Sequence, residues 1–73
     1  MRTMEADECL KRLSKKIISR RYEMRLSQSQ LSEKVNCNPG HLARIELGEV
    51  DPSYTTILRL ASALDLTPQE LIV

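Results

Sequence analysis

The chain has few of the large side chains that usually fill a β-sandwich or β-barrel core, since it contains two Tyr, no Phe and no Trp. A core built from aliphatic residues suits short packed helices better than a sheet-based fold. With 73 residues, the chain makes one domain at most. A domain of this size has little room for a deep active-site cleft. We therefore expect a single all-α domain over residues 1–73, in which residues 1–9 either extend the first helix or fray.

Cysteine and histidine are also scarce. Cys9 and Cys37 are too few for a disulfide framework, and His41 is the only histidine, so we expect no metal site and no cofactor. No apolar run approaches the about 20 residues of a membrane span, and no signal-peptide pattern opens the chain. We therefore expect a cytoplasmic protein with no membrane partner. Because the sequence has no nucleophile–base pair and no cofactor motif, we expect no enzymatic activity.

Charge is nearly balanced overall but unevenly distributed. The net charge is +1, with eight Lys or Arg against four acids in residues 1–26 and three against six in residues 27–73. Such asymmetry is typical of one basic face on an otherwise neutral domain, and equally of a solvated helix that is basic for no functional reason.

Helical periodicity and capping signals predict five helices, over about 5–25, 28–35, 39–47, 54–64 and 68–72. Each of the last four follows a good N-cap: Ser27, Asn38, Ser53 or Thr67. Asn36 and Gly48 are suited to the left-handed conformation that ends a helix. The short connections leave almost no chain without a predicted element.

The second and third predicted helices carry the strongest indication of function. They are two short helices joined by a tight turn, and together they span Gln28 to Glu46. Apolar residues at core-facing positions anchor both helices and plug the turn: Leu31, Val35, Cys37, Leu42 and Ile45. The residues left facing outward are those where a recognition helix reaches base edges: Asn38, Gly40, His41 and Arg44.

This stretch closely resembles the helix-turn-helix family of phage repressors and Cro proteins, the Xre-type regulators. The matching segments are Leu26–Val35, His41–Gly48, Asp51–Ser53, Ile57–Leu64 and Thr67–Leu71, so the resemblance covers roughly Ile17 to Ile72. It implies a compact five-helix, lambda-repressor-like fold with the helix-turn-helix at helices 2 and 3. It also implies sequence-specific binding of double-stranded DNA by a transcriptional regulator, with RNA polymerase as a further partner. The sign of regulation is left open.

The resemblance also implies roles for individual residues. Gln28 matches a family glutamine whose side chain and helix-start amide meet a DNA phosphate. Arg21 matches an arginine that pairs with the glutamate matched by Glu46, an architectural ion pair that leaves some positive charge near the DNA backbone. Arg44 is expected to bind either a guanine edge or a phosphate. The remaining candidates are His41, for a base or phosphate, and Asn38, for a phosphate.

Several positions depart from the family pattern. Pro39 and Gly40 stand where many relatives carry polar side chains that read bases. We therefore expect fewer side-chain hydrogen bonds to bases here. Gly40 is expected to let the backbone approach DNA closely, and Pro39 to offer apolar contact to a thymine methyl. Glu49 and Asp51 place acids in a loop where relatives often have Lys or Arg, which implies a modest salt-dependent affinity.

One recognition helix covers only about four to six base pairs, so we expect a homodimer on a pseudo-palindromic operator. Helices 4 and 5 are the expected dimer surface, because the end of the chain is rich in apolar residues: Leu66, Leu71, Ile72 and Val73. The alternative is that these four residues close the core of the domain. A second hypothesis for function is a protein-interaction module, such as an antitoxin or anti-regulator. The sequence is compatible with a complete small controller protein of a restriction–modification system and with a fragment of a longer regulator.

Overall fold

The computed structural model of the chain describes the backbone of residues 4–72 and the side chains of residues 8–72. Within these residues the fold is all-helical, and the predicted order of five helices is confirmed. The helices are α1 (Met4–Glu23), α2 (Gln28–Lys34), α3 (Pro39–Glu46), α4 (Tyr54–Ala63) and α5 (Pro68–Ile72). Met1–Thr3, part of the segment predicted to extend the helix or fray, and Val73 lie outside the described residues.

Short-range side-chain caps begin the helices at the predicted positions. The Ser27 hydroxyl accepts a hydrogen bond from the Gln30 amide at 3.0 Å, and the Gln30 side chain accepts one from the Ser27 amide at 2.8 Å. Thr67 and Glu70 exchange the same pair of bonds at the start of α5. The hydrogen bonds from Thr67 lower the pKa of the Glu70 carboxyl. These caps satisfy amide groups that the first turn of a helix leaves without partners.

Left-handed residues end the first four helices. Positive φ angles occur at Arg25 (58°), Asn36 (57°), Gly48 (74°) and Asp65 (59°). In each case the amide of the following residue donates to a carbonyl five residues back, as Leu26 does to Arg21 at 3.0 Å. This pattern satisfies the last carbonyls of a helix. The predicted ends at Asn36 and Gly48 are confirmed, whereas the prediction that the first helix runs to residue 25 is wrong, because the chain already turns at Arg25.

The core is aliphatic and is shared by all five helices. Ile17 from α1, Leu42 from α3 and Leu60 from α4 are fully buried in it. The remaining buried apolar residues are Leu13, Leu31, Val35, Ile45, Ala61, Leu64 and Leu71. Because α3 packs against both α1 and α2, one side of it is fixed against the core and the other faces solvent.

The apolar chain end divides between the core and the surface. Leu71 is 1% exposed and Leu66 packs against the core, so these two residues close the domain. Ile72 is 52% exposed. Of the two alternatives left open by the sequence, closure of the core therefore holds for Leu66 and Leu71. Separately, no helix within residues 4–72 is long and apolar enough to cross a membrane.

Candidate nucleic-acid interface

Helix α3 has a buried face and an exposed face that follow directly from helical geometry. Leu42, Ile45 and Glu46 are buried. At 100° per residue, the opposite side of the helix carries Gly40 and Arg44, both exposed. The helix therefore presents a regular outward surface on a rigid element, which is the arrangement that reading a groove requires.

The start of α3 is held by Asn38. Its Oδ1 accepts a hydrogen bond from the Gly40 amide at 2.7 Å, and Pro39 occupies the first helical position. A Cβ added to Gly40 would lie 3.1 Å from this Oδ1, so glycine here relieves crowding against the cap. This adds a structural reason for Gly40 to the close backbone approach expected from the sequence. Pro39 and His41 are exposed beside it.

Arg44 lies one turn beyond Gly40 and extends into solvent, with 65% of its side chain exposed. Its Nε is 3.9 Å from Oε1 of Glu49, the first acid of the loop after α3. An exposed pair at this distance contributes little to stability. The guanidinium therefore stays available to a ligand, although a carboxylate stands next to it.

Beneath this surface, Arg21 of α1 grips Glu46 of α3 through two parallel hydrogen bonds. Arg21 Nε donates to Glu46 Oε2 at 2.7 Å, and the second guanidinium nitrogen donates to Oε1 at 3.0 Å. The third nitrogen donates to the Leu26 carbonyl at 2.9 Å. Both residues are buried, 7% and 6% exposed. The structure thus contains the ion pair that the resemblance implies and places the charge of Arg21 inside the domain.

The Glu46 carboxylate also affects the ionisation of Arg21. Its hydrogen bonds raise the pKa of Arg21, against the opposing effect of burial. The guanidinium carbon also lies 4.8 Å from the centre of the exposed Tyr22 ring, within the range of a cation–π contact. Arg21 therefore stays charged and holds α1 against α3.

Gln28 joins the same cluster. Its Nε2 donates to Glu46 Oε1 at 2.9 Å, so the first residue of α2 is tied to the last residue of α3. Sequence reasoning missed this bond, because the glutamine and the glutamate are 18 positions apart and nothing local links them. One carboxylate thus fixes the positions of three helices.

The turn between α2 and α3 is filled by small side chains. Cys37 packs against the core, and burial raises the pKa of its thiol. Ser32 is 1% exposed, and its hydroxyl donates to the Ser29 carbonyl at 2.8 Å. The buried hydroxyl is therefore satisfied within α2.

Sequence reasoning also passed over Leu47. This residue caps α3 and is 70% exposed, more than expected for a leucine that ends an amphipathic helix. The signal was its spacing, because Leu47 follows Gly40 by seven residues and Arg44 by three and so falls on their side of the helix.

Comparison with known proteins places these features in a family. A helix-turn-helix family model matches residues 17–71. Among solved structures, the chain is similar to the restriction-modification controller protein C.AhdI from Aeromonas hydrophila. The two share 31% sequence identity with a TM-score of 0.81, over 85% of this chain and 94% of that chain. No curated protein matches significantly.

Proposed function

The chain belongs to the Cro/C1-type helix-turn-helix family of DNA-binding transcription regulators, and from this premise we propose that α3 reads the major groove of a specific operator. The exposed face of α3 carries the proposal: Gly40, His41 and Arg44 point away from the core while Leu42 and Ile45 anchor the helix. Recognition helices of this motif contact base edges mainly through residues in their first turns.

Arg44 is the proposed base-reading residue. A guanidinium fork matches O6 and N7 of guanine, and the exposed side chain of Arg44 can reach them. His41 and Asn38 supply further contacts to bases or phosphates. The Asn38 Nδ2 group has no partner among the described residues, because only its oxygen is used as the helix cap.

Gln28 and Arg21 take different roles in the proposal. Gln28 Nε2 has a second hydrogen beyond the one given to Glu46, and we expect this hydrogen to contact a phosphate. Arg21 has its guanidinium nitrogens on protein acceptors, so it positions Glu46, and through it Gln28, and does not itself reach DNA.

Selection from a pool of random DNA duplexes at about 100 mM salt tests this function, because weak backbone binding is already reduced there. The expected result is one enriched, two-fold-symmetric sequence. Arg44→Ala should abolish the enrichment while the thermal melt stays unchanged, and Arg12→Ala, which removes an exposed arginine of α1, should keep it. If Arg44→Ala selected the same sequence as the wild type, the reading role of Arg44 would be wrong. No enrichment by the wild type would favour a protein-interaction module.

We further propose a homodimer through α4 and α5. Tyr54 and Leu58 lie one turn apart on α4 and are 74% and 38% exposed, and Ile72 of α5 is also exposed. Apolar surface of this kind on so small a domain is what a second copy would cover. Ile72→Glu should lower the sedimentation mass to that of a monomer, whereas Tyr22→Glu on α1 should not. A monomeric wild type, both alone and on the operator, contradicts the dimer.

A further inference from the structure

Leu47 is a large apolar side chain placed on the proposed reading surface. It is 70% exposed, whereas the leucines of the core are almost completely buried. A single exposed leucine elsewhere would need no explanation, because folded surfaces carry many apolar atoms. The exposure of Leu47 does need an explanation, because the residues beside it on this face of α3 are Gly40 and Arg44.

The backbone keeps Leu47 in line with those two residues. Its φ and ψ are −82° and −6°, within the right-handed helical region, and its amide donates to the Ala43 carbonyl at 3.0 Å. Leu47 therefore continues the helix by one residue. At about 1.5 Å per residue, it lies about 10 Å along the helix axis from Gly40.

The chemistry of leucine restricts what it can recognise in the major groove. It neither donates nor accepts a hydrogen bond, and the apolar group that the base edges present there is the C5-methyl of thymine. The rest of the reading surface has few polar groups, because Pro39 and Gly40 offer none in their side chains. An apolar contact at the far end of α3 would therefore add sequence information to that supplied by Arg44 and by residues at the start of the helix.

We propose, on the basis of the proposed function, that Leu47 is a specificity-determining residue that contacts the C5-methyl of one thymine in each half-site. Because Arg44 stands between Gly40 and Leu47 on this face of α3, the thymine lies beyond the contact of Arg44, on the side away from Gly40.

Replacing thymine by uracil tests the contact, because uracil pairs identically and lacks only the methyl group. In the selected operator, each thymine is replaced in turn and the Kd is measured by fluorescence anisotropy. Wild-type protein should bind about fourfold more weakly per half-site at the predicted position, the equivalent of one buried methyl group. Leu47→Ala should bind the thymine and uracil operators equally, and Leu47→Met should keep the preference.

Two controls isolate the effect. The thermal melt of Leu47→Ala should match that of the wild type, since exposed side chains contribute little to stability. Pro39→Ala, which truncates the exposed apolar residue at the other end of α3, should keep the sensitivity at the thymine assigned to Leu47.

The alternative outcomes overturn the proposal in distinguishable ways. If Leu47→Ala raised the Kd for the thymine and uracil operators by the same factor, the preference for thymine would remain. Leu47 would then contact the sugar–phosphate backbone. If Leu47→Ala bound both operators as the wild type does, Leu47 would have no role on DNA. In either case a selected operator would still support the proposed function, whereas the selection of no operator by the wild type would overturn both.

Discussion

Glu46 shows how burial changes the value of a charge. Its carboxylate accepts hydrogen bonds from Arg21 and Gln28 inside the domain. A second pair, Arg44 with Glu49, lies 3.9 Å apart on the surface and is more than half exposed. Breaking a buried pair leaves an uncompensated charge, whereas water replaces an exposed partner at almost no cost.

Glu46→Ala is therefore expected to lower the free energy of unfolding by about 3 kcal/mol, because the Arg21 guanidinium would stay buried without its carboxylate. Urea denaturation at neutral pH measures the loss. Glu49→Ala is the matched control and should change stability by less than about 0.5 kcal/mol. Equal effects of the two substitutions would contradict the assignment of Glu46 as the joint between helices.

The two cysteines are expected to differ in reactivity. The raised pKa of Cys37 lowers its thiolate fraction near pH 8, and the thiol is partly covered, whereas Cys9 is exposed. Iodoacetamide should therefore modify Cys9 several times faster, as followed by mass spectrometry of peptides. In urea the two rates should converge. Faster labelling of Cys37 in the native protein would mean that the turn between α2 and α3 opens readily.

At the scale of elements, helix starts could be predicted from the sequence more reliably than helix ends. The side-chain caps at Ser27, Asn38 and Thr67 bond to amides within three residues, so the sequence around each helix start is enough to predict them. A helix end depends on one residue adopting positive φ. Gly, Asn and Asp adopt this conformation more readily than other residues, whereas Arg25 gives no such signal. The first predicted helix was therefore two residues too long.

Glycine at those two ends is expected to stabilise the protein. A left-handed conformation costs a residue with a Cβ about 1–2 kcal/mol, and glycine avoids this cost. Glycine also has more conformational entropy in the unfolded chain, which offsets part of the gain. Arg25→Gly and Asp65→Gly should each raise the free energy of unfolding by about 0.5–1 kcal/mol in thermal or urea melts.

Gly48→Ala is the control for these substitutions. A Cβ there would meet Ser14 Oγ at an ordinary 3.8 Å, so only its φ of 74° opposes alanine. It should destabilise by about 1 kcal/mol. Stabilisation by this substitution would show that the turn relaxes to another conformation.

The candidate site could be predicted only in part, for a related reason. The outward positions of α3 follow from the spacing of Leu42 and Ile45, and family resemblance supplied the pairing of Arg21 with Glu46. The bond from Gln28 to the same carboxylate could not be predicted, because it depends on the angle at which α2 meets α3.

At the scale of the whole molecule, the net charge provides little long-range attraction to DNA. The net charge is only +1, and residues 27–73, which contain the proposed reading helix, are acidic. Glu49 faces Arg44 on this side. Affinity for DNA should therefore depend on base contacts more than on phosphate contacts, and its dependence on salt should be shallow.

Glu49→Gln is expected to tighten operator binding a few-fold, because it removes a carboxylate that competes with DNA for Arg44 and repels phosphate. Glu8→Gln near the start of α1 raises the net charge by the same one unit at an exposed position outside α3 and outside the proposed dimer helices. It should leave affinity almost unchanged. Fluorescence anisotropy at 50 and 150 mM salt measures both. Equal tightening by the two variants would mean that only total charge matters.

The left-handed residues Arg25 and Asp65 also bear on how long the protein survives in a cell. The total free energy of unfolding of so small a chain is on the order of 5 kcal/mol, so 1 kcal/mol changes the unfolded fraction about fivefold. Proteases act on that fraction, and half-life follows it. With two copies bound to one operator, as proposed, operator occupancy should rise more steeply than copy number. The backbone angles of two residues outside the proposed reading helix would then shift the protein concentration at which the operator is filled.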